Sequence, residues 1–281
     1  MTSQSTRVHL SALLIYPVKS LRGCTVETAA IDERGIAGDR RFMVVDPEGR
    51  FLTQRTLPRM ALIATRFEAA ELTLAAAGHG QIRVPRDGQP GARLIEVSVW
   101  RSEGLAAEDC GDAAAGWLSD FLGTRCRLVR AGTAFERPVR RAPAGLEGRQ
   151  VGFADAFPGL LVTEASLNDL NDRLAERGEE AAPMNRFRPN LVIAGAAPYA
   201  EDTWKRVRIG SAVFQTAGPC ARCTVITTDQ ATAARGTEPL RTLAEYRRDP
   251  AKPEDVNFGQ NVIPETTPGL IRVGDPVAVC D

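Results

Sequence analysis

Several features are scarce or missing in this sequence, and each absence excludes a class of protein. The 281 residues carry 35 basic and 35 acidic side chains, so the formal net charge is zero. A general nucleic-acid binder would show a basic excess. No apolar run approaches the roughly 18 residues that a membrane span requires. No Gly-x-Gly-x-x-Gly motif follows a predicted strand, so no dinucleotide site is predicted. We therefore expect neither a nucleic acid polymer nor a membrane as partner.

The sequence also lacks the marks of a secreted protein. Residues 1–7, Met-Thr-Ser-Gln-Ser-Thr-Arg, do not have the charged-then-apolar layout of a secretory signal. The six cysteines are unevenly spaced in a long chain, unlike a disulfide framework. The composition, 43% hydrophobic and 25% charged, is that of an ordinary soluble protein. The expected location is the cytoplasm, where a reducing environment keeps cysteines as thiols.

What the sequence does contain is a close cysteine pair, Cys220 and Cys223. Gly218-Pro219 precedes the pair and the β-branched run at 224–228 follows it. This context predicts a strand–turn–strand junction. A thioredoxin-type pair would instead open a helix.

The residues alone leave three interpretations of the pair open. It could be two small buried cysteines, half of a zinc site, or a thiolate ligand for a softer metal. Zinc takes about four Cys or His ligands, usually in two pairs. The other candidates form no second pair: Cys24, Cys110, Cys126, Cys280, His9 and His79. Arg222, between the two thiols, would favour a thiolate electrostatically.

Short strand-like segments dominate the first half of the chain. They are separated by Gly, Pro and Asp at the spacing of a β-barrel or sandwich. The predicted strands cover 8–16, 25–31, 42–45, 61–67, 72–74, 81–84 and 94–100, and a helix is predicted over 112–122, before a strand at 126–129. The second half mixes strands at 160–163, 191–193, 207–209, 212–214, 261–263, 270–273 and 277–279 with helices at 164–175 and 239–247. The predicted fold class is mainly β with flanking helices (α+β).

A change of composition at residues 131–150 suggests a boundary between two domains. This stretch has four arginines, two prolines and three glycines. Such a composition is typical of an ordered or mobile functional loop, or of a solvated linker. We therefore predict domains at 1–130 and 131–281.

Seven short motifs then follow one another in a characteristic order. They are Tyr16-Pro17-Val18-Lys19-Ser20, Gly35-Ile36-Ala37-Gly38-Asp39-Arg40-Arg41-Phe42, Phe187-Arg188-Pro189-Asn190, Cys220-Ala221-Arg222-Cys223, Glu238-Pro239-Leu240, Phe258-Gly259-Gln260-Asn261 and Val273-Gly274-Asp275-Pro276-Val277. Together they resemble the MOSC (molybdenum cofactor sulfurase C-terminal) family, above all the mitochondrial amidoxime-reducing component and its bacterial homologues. The resemblance covers nearly the whole chain. It implies a MOSC N-terminal β-barrel domain followed by a MOSC β-barrel domain.

The resemblance also implies a cofactor, molybdenum held by molybdopterin in the cleft between the two halves. The family's metal ligand and catalytic cysteine maps to Cys223. A soft thiolate suits a metal that already carries dithiolene sulfurs. Cys220 would be structural or lie just behind the ligand.

Further residues map to the family's cofactor-binding positions. A phosphate needs cationic groups and hydroxyl or backbone donors. The matching positions are Lys19, Ser20, Arg40 and Arg188 for the phosphate and Asp155, Ala156, Phe157, Asn190, Ala221, Arg222 and Asn261 for the rest of the cofactor. The relatives have a hydroxyl residue where this chain has Ala156 and Ala221, so contacts there would come from the backbone or be missing. As plain alternatives, Lys19 and Arg40 would be solvated turn residues and Arg188 would pair with a carboxylate.

The implied reaction is the reduction of small N-hydroxylated compounds: amidoximes, hydroxylamines and N-hydroxylated nucleobases. The chain has no C-x4-C-x2-C iron–sulfur pattern. Electrons would therefore come from a separate ferredoxin, flavodoxin or b5-type cytochrome with its reductase. The arginines of 137–150 are candidates for steering an acidic donor. Two other functions stay open: a MOSC sulfur carrier or cofactor-binding module without such turnover, and a zinc or thiol-redox protein.

Overall fold

The computed structural model describes residues 7–280. Residues 1–6 and residue 281 lie outside the described residues. Residues 1–6 make up most of the N-terminal segment that lacks the layout of a secretory signal. Between residues 7 and 280, no helix combines the length and the apolar character needed to cross a bilayer.

Strands outnumber helices throughout the described chain. The strands are β1 His9–Ile15, β2 Cys24–Thr25, β3 Thr28–Asp32, β4 Gly35–Ile36, β5 Phe42–Val45, β6 Ala64–Glu68, β7 Glu71–Ala76, β8 Gly80–Pro85, β9 Leu94–Val99, β10 Ser102–Asp109, β11 Arg127–Arg130, β12 Gly159–Thr163, β13 Leu191–Ala194, β14 Arg206–Ile209, β15 Ala212–Ala221, β16 Asn257–Pro264, β17 Gly269–Arg272 and β18 Val277–Cys280. The α-helices are α1 Asp112–Leu122, α2 Glu164–Glu176 and α3 Leu240–Tyr246, and short 3-10 helices cover Pro58–Leu62, Met184–Arg186, Ala200–Thr203 and Thr224–Thr227. The predicted class, mainly β with flanking helices, is confirmed.

An eight-stranded sheet forms the centre of the second half. Its order is β18-β14-β15-β16-β12-β13-β1-β2. Neighbouring strands are antiparallel except β12 and β13, which run parallel and place Leu161 opposite Leu191. A continuous apolar cluster that includes Leu13, Leu191 and Phe214 packs on this sheet.

The first strand of the chain belongs to that sheet. β1 pairs antiparallel with β13, with Leu13 opposite Leu191. The remaining strands of the first half form smaller sheets, β5-β11-β10-β9 and β6-β7-β8, while β3 pairs on one side with β4 and on the other with β17 from the far end of the chain. The two halves are therefore interlocked, and the division at residue 130 stays a prediction.

Two helices show why their positions could be predicted from the sequence. Helix α1 buries Ala114, Leu118, Phe121 and Leu122 on one face and ends at Gly123, whose φ of 69° provides the left-handed C-cap. Helix α2 begins after Thr163, whose hydroxyl accepts a hydrogen bond from the Ser166 amide at 3.2 Å.

The structure departs from the predicted pattern next to the cysteine pair. The predicted strand after Cys223 is wrong, because Thr224–Thr227 forms a 3-10 helix. The predicted turn at Gly218-Pro219 is also wrong, since β15 continues through it to Ala221 with two register shifts against β16. Here the chain must leave the sheet, and the Thr227 hydroxyl closes the helical turn onto the Thr224 carbonyl at 2.9 Å. This geometry outweighs the strand preference of β-branched residues.

Candidate functional site

Loops that leave the sheets on the same side line one cavity. The turns after β1 and before β5 contribute to its wall, as do the loop before β12, the turn before β13 and the end of β15. All twelve residues predicted from the motifs line it: Lys19, Ser20, Arg40, Asp155, Ala156, Phe157, Arg188, Asn190, Ala221, Arg222, Cys223 and Asn261. The structure thus brings together residues from both halves of the chain, while their roles stay predictions.

The two cysteines have different surroundings. Cys223 is exposed and lies directly before the 3-10 helix, in extended conformation. Cys220 is half-buried, and its Sγ accepts a hydrogen bond from Arg222 Nη1 at 3.0 Å. The guanidinium of Arg55 approaches Cys223, with Nη1 3.9 Å from Sγ. Within residues 7–280, no group of three or more His, Cys, Asp or Glu side chains is arranged to hold a metal. A four-ligand zinc site therefore has no support among the described residues.

Lys19 and Asp155 form an ion pair across the two halves. The Lys19 ammonium is buried, and burial lowers its pKa although Asp155 opposes that shift. Desolvation by the surrounding protein raises the pKa of Asp155, but the charge and hydrogen bond of Lys19 outweigh it, so the pKa lies below its ordinary value. The Asp155 side chain remains 60% exposed, towards the cavity. Lys19 is therefore not the solvated turn residue of the plain alternative.

Arg40 is fixed by acceptors inside the protein. Its Nη1 lies 2.7 Å from Asp39 Oδ2 and 3.0 Å from Asn190 Oδ1, and its Nη2 donates to the Arg188 carbonyl at 3.1 Å. Asn190 itself donates to the Leu14 carbonyl at 3.1 Å. The amide of Asn190 therefore ties together neighbouring loops, and its predicted contact with the cofactor would compete with these bonds.

Arg188 has no carboxylate partner within 4.0 Å among residues 7–280. Its Nη1 donates to the Leu21 carbonyl at 2.7 Å, and its guanidinium lies 4.3 Å from the centre of the Tyr16 ring. Burial, together with the charge of Arg40, lowers its pKa to about 10. A half-buried cation without a counter-ion is a natural place for an anionic ligand.

Backbone strain is concentrated around the same cavity. Seven non-glycine residues of the described chain have positive φ angles, and three of them, Ser20, Arg40 and Arg188, line the cavity. A fourth, Trp100, is at its rim. Such conformations cost of order 1–3 kcal/mol each and cluster at functional sites.

The segment 131–158 is packed, not a solvated linker. Val139, Leu146 and Val151 form a cluster with Ile263 of β16, and Phe135 is fully buried. Arg137 is only 4% exposed.

Arg137 holds the cavity loop that contains Asp155. Its guanidinium donates to the carbonyls of Gly152, Ala154 and Asp155 at 2.8, 2.5 and 2.8 Å. Burial lowers its pKa to about 10. The expectation that Arg137 steers a partner is wrong, because the side chain is not at the surface. Arg149 also binds within the protein, donating to the Glu265 carbonyl at 2.6 Å. Of the four arginines in 131–150, Arg140 and Arg141 are exposed.

Sequence reasoning missed part of the wall, which comes from the first half. Thr53 and Arg55 line the cavity. Trp100 stands beside them, with its ring centre 4.4 Å from the Arg55 guanidinium and its Nε1 donating to Asp155 Oδ1 at 3.0 Å. The one available signal was an aromatic residue placed at the end of a predicted strand, which by itself indicates nothing.

A buried amide pair fastens this wall to the second half. Gln54 Nε2 donates to Gln230 Oε1 at 3.1 Å, and Gln230 Nε2 donates back to Gln54 Oε1 at 2.9 Å. Gln54 also donates to the Ser20 carbonyl, and Arg235 donates to the carbonyls of Gln54 and Arg55. The same group of hydrogen bonds thus positions both Arg55 and Ser20.

Comparison with known proteins identifies both halves. The MOSC N-terminal beta barrel domain matches residues 7–125, and the MOSC domain matches residues 148–278. The mitochondrial amidoxime-reducing component 1 of Mus musculus is 38% identical, over 95% of this chain and 81% of its own length. The human protein of the same name is 36% identical, over 95% and 82%. The molybdenum cofactor sulfurase of Danio rerio is 34% identical over 85% of this chain, but this covers only 30% of that protein.

Proposed function

The chain belongs to the MOSC family, and on that premise we propose that it is a molybdenum-cofactor-dependent reductase of N-hydroxylated compounds. Its substrates would be amidoximes, hydroxylamines and N-hydroxylated nucleobases, and its electrons would come from a separate protein. One observation carries the proposal: a single exposed thiol, Cys223, lies in a cation-rich cavity whose walls come from both halves of the chain. Two relatives that match 95% of this chain and 81% and 82% of their own length are named amidoxime-reducing components.

The residues present fit a phosphate-bearing cofactor. Lys19, Arg40, Arg55, Arg188 and Arg222 all line the cavity, whereas its only carboxylate is Asp155. We assign the phosphate to Lys19, Ser20 and Arg188, the metal to the Cys223 thiolate, and polar pterin edges to Asp155 and Asn261. When bound, the cofactor supplies the two-electron redox chemistry, and the protein supplies ligand, orientation and charge.

The overall reaction balances with two electrons and two protons. R–NH–OH + 2 e⁻ + 2 H⁺ gives R–NH₂ + H₂O, so the N–O bond breaks and the nitrogen is reduced. The six cysteines are all free, and none belongs to a metal cluster within the described residues. The electron donor would therefore be a ferredoxin, a flavodoxin or a b5-type cytochrome with its reductase.

The sulfur-carrier function is the competing proposal. It is supported by relatives named molybdenum cofactor sulfurase, but the chain spans only 30% and 35% of the two such relatives compared. It spans 81% of the mouse amidoxime-reducing component. We therefore favour the reductase. We keep the cytoplasm as the proposed compartment, although these relatives are mitochondrial.

The test is metal content together with dye-driven turnover. Protein from a host that makes molybdopterin should hold roughly one molybdenum per chain and reduce benzamidoxime with reduced methyl viologen, since one thiolate can bind one metal. C223A and C223S should lose both properties. C220S should be milder, because Cys220 is half-buried and hydrogen-bonded to Arg222. Bound molybdenum without benzamidoxime reduction would favour the sulfur carrier, and full activity of C223A would refute the ligand assignment.

A further inference from the structure

Trp100 is an exposed aromatic ring held in place at the rim of the cavity. It occupies the turn between β9 and β10 with a φ of 55°, and half of its surface, 50%, is exposed. Its Nε1 donates to Asp155 Oδ1 at 3.0 Å, and its ring meets the Phe51 ring edge-on at 5.2 Å. The ring is thus exposed yet held by two contacts, at a residue whose positive φ is a conformation that clusters at functional sites.

Arg55 connects this ring to the thiol. Its guanidinium lies 4.4 Å from the Trp100 ring centre, and its Nη1 lies 3.9 Å from Cys223 Sγ. Within residues 7–280 Arg55 has no carboxylate within 4.0 Å, so most of its donors stay available. Arg235 donates a hydrogen bond to the backbone carbonyl of Arg55 and so holds the loop that carries Arg55.

These groups lie at the exposed end of the cavity, beside Asp155 and the proposed metal ligand Cys223. Lys19 and Asn190 are buried at the inner end of the cavity, whereas Asp155, Ala156, Ala221 and Cys223 are exposed. A cofactor held by these inner groups and by Cys223 would occupy the inner part of the cavity. A substrate must then approach from the exposed side, where Trp100 and Arg55 stand next to Cys223.

We propose that Trp100 and Arg55 form the substrate subsite, and that it selects N-hydroxylated compounds attached to a planar aromatic or heteroaromatic ring. The ring would stack on Trp100, and Arg55 would donate a hydrogen bond to the oxygen of the N–OH group. This inference rests on the proposed function and adds the residues that set its specificity. The other two tryptophans do not compete, because Trp117 packs against His79 and Phe121, and Trp204 is 8% exposed.

The test compares two substrates with the same reacting group. Benzamidoxime carries a phenyl ring where acetamidoxime carries a methyl group. Reduced methyl viologen is the reductant, so that docking of a protein donor does not enter. The ratio of kcat/KM for benzamidoxime to that for acetamidoxime should fall roughly three- to ten-fold in W100A, the range expected for losing an aromatic contact. W100F should keep the ratio, because it keeps an aromatic face. W100L is the second non-aromatic variant if W100A does not fold.

Leu94→Ala is the matched control, since Leu94 is an exposed apolar residue, 54%, at the other end of β9. It should leave the ratio at the wild-type value. An unchanged ratio in W100A and W100L would overturn the subsite. So would a loss seen only when a protein donor replaces the dye, because Trp100 would then belong to the donor's docking surface.

Binding without turnover separates this proposal from the proposed function. Equilibrium dialysis of benzamidoxime against cofactor-loaded protein, with no reductant, should give a Kd that rises three- to ten-fold in W100A. If the wild type binds benzamidoxime through Trp100 but does not reduce it, the reductase function fails while the subsite stands. If it reduces both compounds and W100A changes neither Kd nor the ratio, the subsite fails while the function stands.

Discussion

At the scale of single residues, Tyr16 explains how two like charges are held side by side. The guanidinium groups of Arg40 and Arg188 lie 4.2 and 4.3 Å from its ring centre. The ring is buried against Gly23, where a Cβ would come within 2.5 Å of it. Its hydroxyl has no hydrogen-bond partner in the described structure, and burial raises its pKa to about 12. The Tyr16 ring therefore supplies the contacts that hold the two arginines together.

We predict that Y16L loosens the cofactor and that Y16F does not. Leucine removes both cation–π contacts, worth about 1–2 kcal/mol together, so cofactor affinity should fall roughly five- to thirty-fold. Phenylalanine keeps the ring and removes an unpaired buried hydroxyl, so stability should not decrease. Molybdenum and pterin content after dialysis, with thermal unfolding of each variant, measures both effects. Equal cofactor loss in Y16F and Y16L would show that the hydroxyl matters instead.

The Lys19–Asp155 pair gives a prediction for acid pH. Because the pKa of Asp155 is held below its ordinary value, its ionised form stabilises the fold above about pH 4, and that stabilisation is lost as pH falls further. D155N leaves the buried Lys19 ammonium without its partner. Its thermal midpoint should lie below wild type near neutral pH, and the gap should close as pH approaches the lowered pKa.

Asp112→Asn is the control for this measurement. Asp112 pairs with Arg127 at 2.7 Å but is 95% exposed, and exposed ion pairs contribute little. D112N should therefore unfold like wild type at neutral pH. A D155N midpoint that follows D112N at every pH would mean that the cavity pair does not stabilise the protein.

Prediction from sequence succeeded and failed at this scale for identifiable reasons. Cys223 and Arg188 could be predicted to share a cavity because both lie in contiguous motifs, while their roles stay predictions. Arg55 and Trp100 were missed because they become significant only through contacts with residues far away in the chain. Asn190 shows that a motif can also predict too much. Its motif predicted a cofactor contact, but its side-chain amide already forms hydrogen bonds with Leu14 and Arg40.

At the scale of elements, the cavity loop 152–157 depends on the buried guanidinium of Arg137. Gly152 allows close packing there, since a Cβ would lie 2.6 Å from the Arg40 carbonyl. We predict that R137L lowers both stability, by roughly 3 kcal/mol, and molybdenum content, because charged hydrogen bonds to buried carbonyls are lost. R137K should rescue little, since an ammonium cannot match the planar fork.

Arg141→Leu is the matched control within the same segment. Arg141 is exposed, so its loss should change neither denaturant unfolding nor metal content. If R137L unfolds and binds molybdenum like R141L, the loop does not depend on Arg137.

The pattern of predicted elements follows the same physical division. Helix α1 and strand β1 were predicted because their apolar periodicity coincides with their packing. Strand β10, Ser102–Asp109, was not predicted, because Glu103, Gly104 and its alanines have weak strand preference. It forms because β9 and β11 pair with its two edges. The segment after Cys223 is the opposite example. Its residues strongly prefer strand, but it forms a 3-10 helix because the chain changes direction there.

At the scale of the whole molecule, the balance of charge hides a local excess. The formal net charge is zero, yet two exposed arginines, Arg101 and Arg140, lie near Trp100. Arg140 Nη1 donates to the Arg101 carbonyl at 2.9 Å, which places the two arginines together at the cavity rim. Such a surface attracts an acidic partner, and the attraction weakens as salt screens it. Steering by the two exposed arginines of the 131–150 stretch, Arg140 and Arg141, stays a prediction.

This surface, together with the lack of an iron–sulfur or dinucleotide-binding motif in the sequence, leads to a prediction about how electrons arrive. The isolated protein should not couple NADH oxidation to benzamidoxime reduction, whereas reduced methyl viologen or a reconstituted ferredoxin or cytochrome system should drive it. The R140E/R141E double variant should slow only the protein-driven reaction, most strongly at low ionic strength, because a small dye needs no steering. Arg208→Glu, an exposed arginine on β14, is the control and should match wild type. Robust NADH-driven turnover by the chain alone would refute the prediction, since two electrons per turnover would then pass through a carrier for which these residues provide no site.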